Sequence, residues 1–310
     1  MTIDRDAVAA ARGRDKRAVA RLVTAFEDPR PEAAAARRDV VAALDADGAP
    51  LGRVVGFTGT PGAGKSSLVG ELALRLAAPP SSSAVAVVAV DPSSPVSGGA
   101  LLGDRTRVRF PPGEPRLYFR SQPSGGAVGG VARATFQVCR LLARLFDVVI
   151  IETVGIGQSE IDIVRIADTT FLVVQPHAGD HVQFMKAGIM EVPDAFVVNK
   201  IDLDGADATF HALRASLRLG APGRGERPVY RTSARTGDGV DALAAAVGAG
   251  PPPGLATREP AFFTGWVEAE YGRWGRDRLA RLGADPASYL AAHGGLDGAQ
   301  LAFAAAMDLG

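Results

Sequence analysis

A chain of 310 residues, 47% hydrophobic and 22% charged, can bury a full core and is long enough for one large α/β domain with appendages. Its 34 basic residues balance 34 acidic ones, so no global basic field recruits nucleic acid or an anionic membrane. The single cysteine, Cys139, excludes an intramolecular disulfide and any cysteine-cluster metal site. With no leader pattern and no apolar run of membrane-spanning length, this points to a soluble, cytoplasmic protein.

Apolar residues recur at helical spacing over 5–27 and 31–46, separated by Asp28-Pro29-Arg30-Pro31. Proline ends the first stretch, and the pair reads as an α-hairpin whose Lys and Arg residues form a solvated face. From Leu51 onward, short β-branched runs alternate with helical stretches. Residues 54–58, 84–90, 116–119, 147–152, 170–175, 195–199 and 228–230 read as strands, most too continuously apolar for a half-exposed sheet. Such runs predict a mostly parallel sheet with helices on both faces, and a ligand beyond the carboxyl ends of its strands. Pro251-Pro252-Pro253-Gly254 reads as a stiff linker. Beyond it, an Ala-rich tail is predicted to form helices over 261–282 and 286–293. The expected parts are therefore a helical extension (1–50), an α/β domain (51–250) and a helical tail (251–310). Trp266, Tyr271, Trp274 and Tyr289 concentrate in the tail, which fits either an interface between two copies or intramolecular packing on the α/β domain.

The first chemical signal is Gly59-Thr60-Pro61-Gly62-Ala63-Gly64-Lys65-Ser66, placed between a predicted strand and a predicted helix. It fits the G-x-x-x-x-G-K-[ST] phosphate loop. Gly62 and Gly64 let backbone N–H groups, with those of Ala63 and Ser67 among them, approach phosphate oxygens where a Cβ would collide. The helix N-terminus adds its dipole, Lys65 can reach the β- and γ-phosphates, and the Ser66 hydroxyl is placed to hold Mg²⁺. Asp91, at the end of the next strand, can meet Mg²⁺ directly or through water, or shape the turn before Pro92. Asp104 lies in the glycine-rich stretch 98–105, as a switch residue near the metal or as a local cap.

Asp147-Val148-Val149-Ile150-Ile151-Glu152-Thr153-Val154-Gly155 is an apolar strand ending in a carboxylate, with a glycine three residues later. It resembles the D-x-x-G segment of GTP-binding proteins, with Glu152 in place of Asp. Glu152 can order the Mg²⁺ shell, and Gln158 can orient an attacking water. Val197-Val198-Asn199-Lys200-Ile201-Asp202 fits N-K-x-D at a strand end. The Asp202 carboxylate can accept both N1–H and the exocyclic amine of guanine, a donor pair adenine lacks, so the nucleotide is expected to be GTP or GDP. Thr232-Ser233-Ala234, after the last strand, is a second base-side segment through Ser233 and Ala234. His177 and His181 flank Asp180 without a cysteine nearby and read as ordinary loop residues. Ser124 to Gly130 is either an anion nest or a hinge.

Together, Gly59 to Ser66, Val90 to Ser94, Gly98 to Arg105, Glu152 to Glu160 and Asn199 to Asp202 resemble the MeaB/ArgK family of P-loop GTPases, over roughly residues 10–250. The resemblance implies a SIMIBI-type P-loop fold, Mg²⁺ and GTP/GDP as cofactors, and a homodimer. It also implies an adenosylcobalamin-dependent acyl-CoA mutase as partner, with the GTPase gating cofactor loading and protecting the mutase. A further mobile segment of the family would map onto 175–191, including Asp180, Gln183 and Lys186. In that region Gln175 and His177 stand where small or apolar residues are more usual. The competing expectations are a metal-insertion or targeting GTPase of the same superfamily and a kinase.

Overall fold

The computed structural model describes residues 5–91, 108, 110–123, 130–153, 163–176, 193–219, 226–282 and 285–308. The chain forms two compact units, one comprising Gly52–Ala132 and Phe146–Pro253 and the other Met1–Leu51, Arg133–Leu145 and Gly254–Gly310.

The first unit is built on seven strands: β1 (Arg53–Gly59), β2 (Val85–Asp91), β3 (Leu117–Pro123), β4 (Val148–Thr153), β5 (Thr169–Val174), β6 (Ala195–Val198) and β7 (Val229–Arg231). All pairings are parallel, in the order β3-β2-β4-β1-β5-β6-β7. Each expected strand forms. β3 runs on through Arg120-Ser121-Gln122-Pro123, where polar residues hid its continuation. Both faces of the sheet are covered, which is why the strands read as unbroken apolar runs. Along β5, Phe171 and Val173 enter one core with Phe57 of β1, Leu68 and Leu72 of α4 (Lys65–Ala77), and Leu243 and Val247 of a helix over Val240–Gly248. The alternate residues Leu172 and Val174 pack with Phe196, Val198 and Leu213 of a helix over Ala206–Leu219. Each such buried side chain is worth about 1.5–3 kcal/mol of transfer free energy.

Three aspartates fix where neighbouring strands start. Asp147, Asp168 and Asp194 each stand just before a strand. Each carboxylate accepts a backbone N–H at the mouth of an adjacent strand: from Ala84 at 2.7 Å, Val54 at 2.8 Å and Thr170 at 2.8 Å. These bonds satisfy donors that a strand's first residues would otherwise leave unpaired. With β1 central, the carboxyl ends of β2, β4, β1, β5 and β6 come side by side, and Glu152 lies in register with Phe57 on one side and Ala89 on the other.

The second unit is helical: α1 (Arg5–Arg12), α2 (Lys16–Glu27), α3 (Pro31–Asp45), most of α5 (Gly130–Leu142), and three C-terminal helices. With α6 and α7 taken by Ala206–Leu219 and Val240–Gly248, these are α8 (Glu259–Arg281), α9 (Pro286–Ala292) and α10 (Leu296–Asp308). The single helix expected over 5–27 is broken at Gly13 and Arg14, the latter at φ +60°. Asp15 then caps α2, accepting from the amides of Arg17 at 3.1 Å and Ala18 at 2.8 Å, an arrangement worth about 1 kcal/mol. The tail holds a third helix, α10, that the sequence reading did not anticipate. Trp266, Tyr271 and Tyr289 turn their rings onto Phe263 and Phe303 of the tail itself, with centroids 5.5 to 5.8 Å apart. Trp274, just beyond the kink at Gly272, is 50% exposed. Among the described residues no helix is long and apolar enough to cross a membrane.

Candidate functional site

The site is assembled at the carboxyl end of the sheet of the first unit. β1 ends at Gly59, the chain turns through Thr60 to Gly64, and α4 begins at Lys65. Gly64 is at φ +80°, and a Cβ there would meet the Asn199 side-chain nitrogen at 2.7 Å, so both backbone conformation and space demand glycine. The buried Lys65 ammonium donates to the carbonyls of Gly59 at 2.9 Å and Thr60 at 3.1 Å, folding its stem over the loop. Thr60 Oγ1 is buried without a hydrogen-bond partner among the described residues.

On one side of the loop stand the oxygen groups. Ser66 Oγ donates to Glu152 Oε1 at 2.6 Å, so Glu152, at the end of β4, directly faces the serine of the phosphate loop. Asp91, at the end of β2 and 2% exposed, accepts from Ser121 Oγ of β3 at 2.5 Å. Thr153 donates to Thr58 at 3.0 Å between the central strands. A buried serine hydroxyl against one carboxylate, with a second carboxylate two strands away, is a donor set of hard oxygens, and this fits Mg²⁺. Ser66 and Glu152, with Asp91 further out, are the residues that would hold it. Asp104 and Gln158 lie outside the described residues, as do His177, His181, Asp180, Gln183, Lys186 and 124–129.

On the other side, Asn199 ties two segments together. Its amide nitrogen donates to the Ala63 carbonyl at 2.8 Å, and its oxygen accepts from Thr232 Oγ1 and from the Ala234 amide, both at 3.2 Å. The Ala234 N–H, in the segment expected on the base side, is thus directed at Asn199. Lys200, at φ +62°, extends its ammonium to the Gly62 carbonyl at 2.7 Å and to Gln175 Oε1 at 2.9 Å. Asp202 Oδ1 accepts from Ser233 Oγ at 2.5 Å, and Arg235 pairs with its other oxygen at 2.8 Å. The Ser233 hydroxyl, then Asp202's own amide and the charges of Arg235 and Lys200, hold the Asp202 carboxyl below its usual range, against a smaller opposing effect of desolvation. Phosphate loop, oxygen cluster and N-K-x-D segment therefore lie along one edge, joined by Asn199 and Lys200.

The model of the methylmalonyl-CoA mutase-associated GTPase MeaB matches residues 19–249. The chain belongs to this family. A protein of Pyrococcus abyssi named as an inferred GTPase is 44% identical over 209 residues, 66% of this chain and 61% of that protein. The GTPase ArgK of Escherichia coli is 43% identical over 151 residues, 48% of this chain and 45% of its own. Among solved structures, that of a LAO/AO transport system kinase superposes with a TM-score of 0.61 at 26% identity, over 91% of this chain and 86% of that one.

For a P-loop GTPase of the MeaB family, sequence reading brought Gly62, Ala63, Gly64, Lys65, Ser66, Glu152, Asn199, Lys200, Asp202, Ser233 and Ala234 forward, and the fold gathers them. Ser67 follows Ser66 in the first turn of α4, and Asp91 sits two strands from the loop, across β4. Five contributors were not assigned to the site: Ser121, Gln175, Arg235, Thr58 and Thr153. Their shared signal was position near the carboxyl end of a strand, to which Gln175 added an unusual residue type.

Proposed function

We propose that this MeaB-family GTPase binds GTP with Mg²⁺, hydrolyses it slowly on its own, and uses its nucleotide state to gate cofactor loading into, and protection of, an adenosylcobalamin-dependent acyl-CoA mutase. The observation that carries the reading is the alignment along one sheet edge of Ser66 against Glu152 and of Asp202 held ionised by Ser233. The first pair suits a metal-bound triphosphate and the second suits guanine. The family to which the chain belongs supplies the partner class.

In hydrolysis, the water oxygen bonds to the γ-phosphorus as the bond to the β–γ bridging oxygen breaks. Inorganic phosphate leaves with the added oxygen, and a proton passes to solvent. Lys65 would meet the charge gathering on the bridging and γ-oxygens, and the loop amides would fix the phosphates in line. When bound, Mg²⁺ supplies charge neutralisation at the phosphate oxygens. Glu152 orients Ser66, and Gln158 is assigned to orienting the water. No arginine finger is identified among the described residues, and the partner is expected to accelerate turnover. A homodimer in the cytoplasm completes the proposal.

Nucleotide titration tests the base assignment: GTP and GDP should bind far more tightly than ATP, and equal ATP affinity would favour the kinase alternative. Pull-down with GTP-analogue-loaded protein tests the partner. Retention of a cobalamin-carrying mutase is expected, and equal hydrolysis rates with and without that mutase would overturn the gating role.

A further inference from the structure

Lys200 adopts a conformation that is costly for a long side chain. Its φ of +62° lies in the left-handed region, which is disfavoured for a residue with a Cβ. A backbone bond from Leu203 N–H to its carbonyl at 3.0 Å closes the turn, and its ammonium is held by two bonds, to Gly62 O at 2.7 Å and to Gln175 Oε1 at 2.9 Å. Gln175 comes directly after β5, and β5 pairs with β6, the strand that leads into Asn199 and Lys200. Gly62 closes the triangle. It stands at φ +77°, and a Cβ built there would meet the Gln175 amide nitrogen at 3.8 Å and its oxygen at 3.9 Å. The carboxamide therefore rests over the phosphate-loop backbone while it holds the lysine that bridges to that loop.

We infer that Gln175 is a positioning residue that latches Lys200 onto the phosphate loop and so slows nucleotide release. The inference rests on reading Gly59–Ser66 as the phosphate loop and Asn199–Asp202 as the guanine segment. With Gln175 in place the ammonium is fixed at two points, and the lysine stem is held taut between the base side and the phosphate side. Without it, one acceptor remains for the ammonium.

The test is stopped-flow release of a fluorescent GDP from wild type, Gln175→Met, Gln175→Ala and Gln175→Glu, with single-turnover GTP hydrolysis measured in parallel. Met keeps the length and removes the acceptor, whereas Glu keeps an acceptor oxygen at the same reach. Met and Ala are each expected to speed release about 5- to 30-fold, which is about 1–2 kcal/mol at 1.4 kcal/mol per tenfold. Gln175→Glu should return release to within about threefold of wild type. In a Lys200→Met background, Gln175→Met should add less than about twofold, because the two residues act as a pair. Release unchanged in Met and Ala, no rescue by Glu, or additivity with Lys200→Met would each overturn the inference. Wild-type protein that fails to prefer guanine over adenine nucleotides would instead overturn the functional reading; an unchanged Gln175→Met in a protein that keeps that preference sinks this inference alone.

Discussion

Removing Asp297 should destabilise the helical unit by about 3–4 kcal/mol. Asp297 is 2% exposed, and its two oxygens are divided between two buried guanidiniums: Oδ1 accepts from Arg37 Nε and Oδ2 from Arg140 Nη1, both at 2.9 Å. Arg37 also reaches Gln300 at 3.3 Å and the Asp28 carbonyl at 2.8 Å, while Arg140 reaches Gln137 and Glu259, both at 2.7 Å. Two positive and two negative charges thus cancel in a nearly dry site. Burial by itself would lower the Arg140 pKa, and the charges of Asp297 and Glu259 together outweigh it, so the guanidinium is held more firmly protonated than usual. Asp297→Ala leaves one uncompensated buried charge and two unpaired N–H donors, for which losing one partner of a buried pair costs about 3–5 kcal/mol. Glu259, the more exposed carboxylate at 15%, still offsets part of this, which places the estimate in the lower half of that range. Urea unfolding followed by circular dichroism, with hydrogen exchange of α3, α5 and α10 to localise the loss, should show the helical transition moving down by more than about 1 M. A variant carrying Arg37→Met, Asp297→Leu, Arg140→Met and Glu259→Gln should regain most of the stability, because all four charges are then removed together. Asp297→Ala within about 1 kcal/mol of wild type, or a quadruple variant as unstable as the single, would refute the electrostatic account.

Gly64→Ala should abolish tight nucleotide binding and cost about 1–2 kcal/mol of stability, since its φ is +80° and the added Cβ would strike Asn199 at 2.7 Å; calorimetric titration and thermal unfolding check both. Asp202→Asn should weaken GTP by roughly 10- to 150-fold and erase the preference over ATP, as read by competition titration. Because the Asp202 pKa is lowered, the carboxylate stays ionised down through its usual titration range, so GTP preference in wild type should be flat from about pH 8 to pH 5 and fall only in stronger acid. Asp28 is held from 3.8 down to about 2, first by the side-chain bond from Arg30 and then by the Arg30 amide. Its contribution to stability is therefore complete above the unfolded value and lost as pH falls from about 4 to 2. The loss is small, at most about 1 kcal/mol, because Arg30 is 74% exposed, and Asp28→Asn should remove that part of the acid dependence of unfolding.

Much of the first unit was legible in the chain. The strands β1, β2 and β4 announced themselves because a parallel sheet covered on both faces needs unbroken apolar runs, and Gly64 and Asp202 because their roles depend on a few consecutive residues after a strand. The β3 extension was illegible because Arg120, Ser121 and Gln122 are polar, and polarity within a strand mimics its end. The break between α1 and α2 hid behind continuous helical spacing, although Gly13 and Asp15 are a stop and a cap in the right order.

What the sequence by itself determined was the order of the strands, the phosphate loop, the N-K-x-D segment and the family, since each is written in neighbouring residues. Tertiary structure alone decided which distant groups meet. Glu152 reaches Ser66 across 86 residues and Asn199 reaches Ala63 across 136, through strand order rather than proximity in the chain. The same holds for Arg37, Arg140 and Asp297. In a linear reading they are ordinary surface charges of three separate helices, and only folding, by bringing opposite charges together away from water, makes their burial stable.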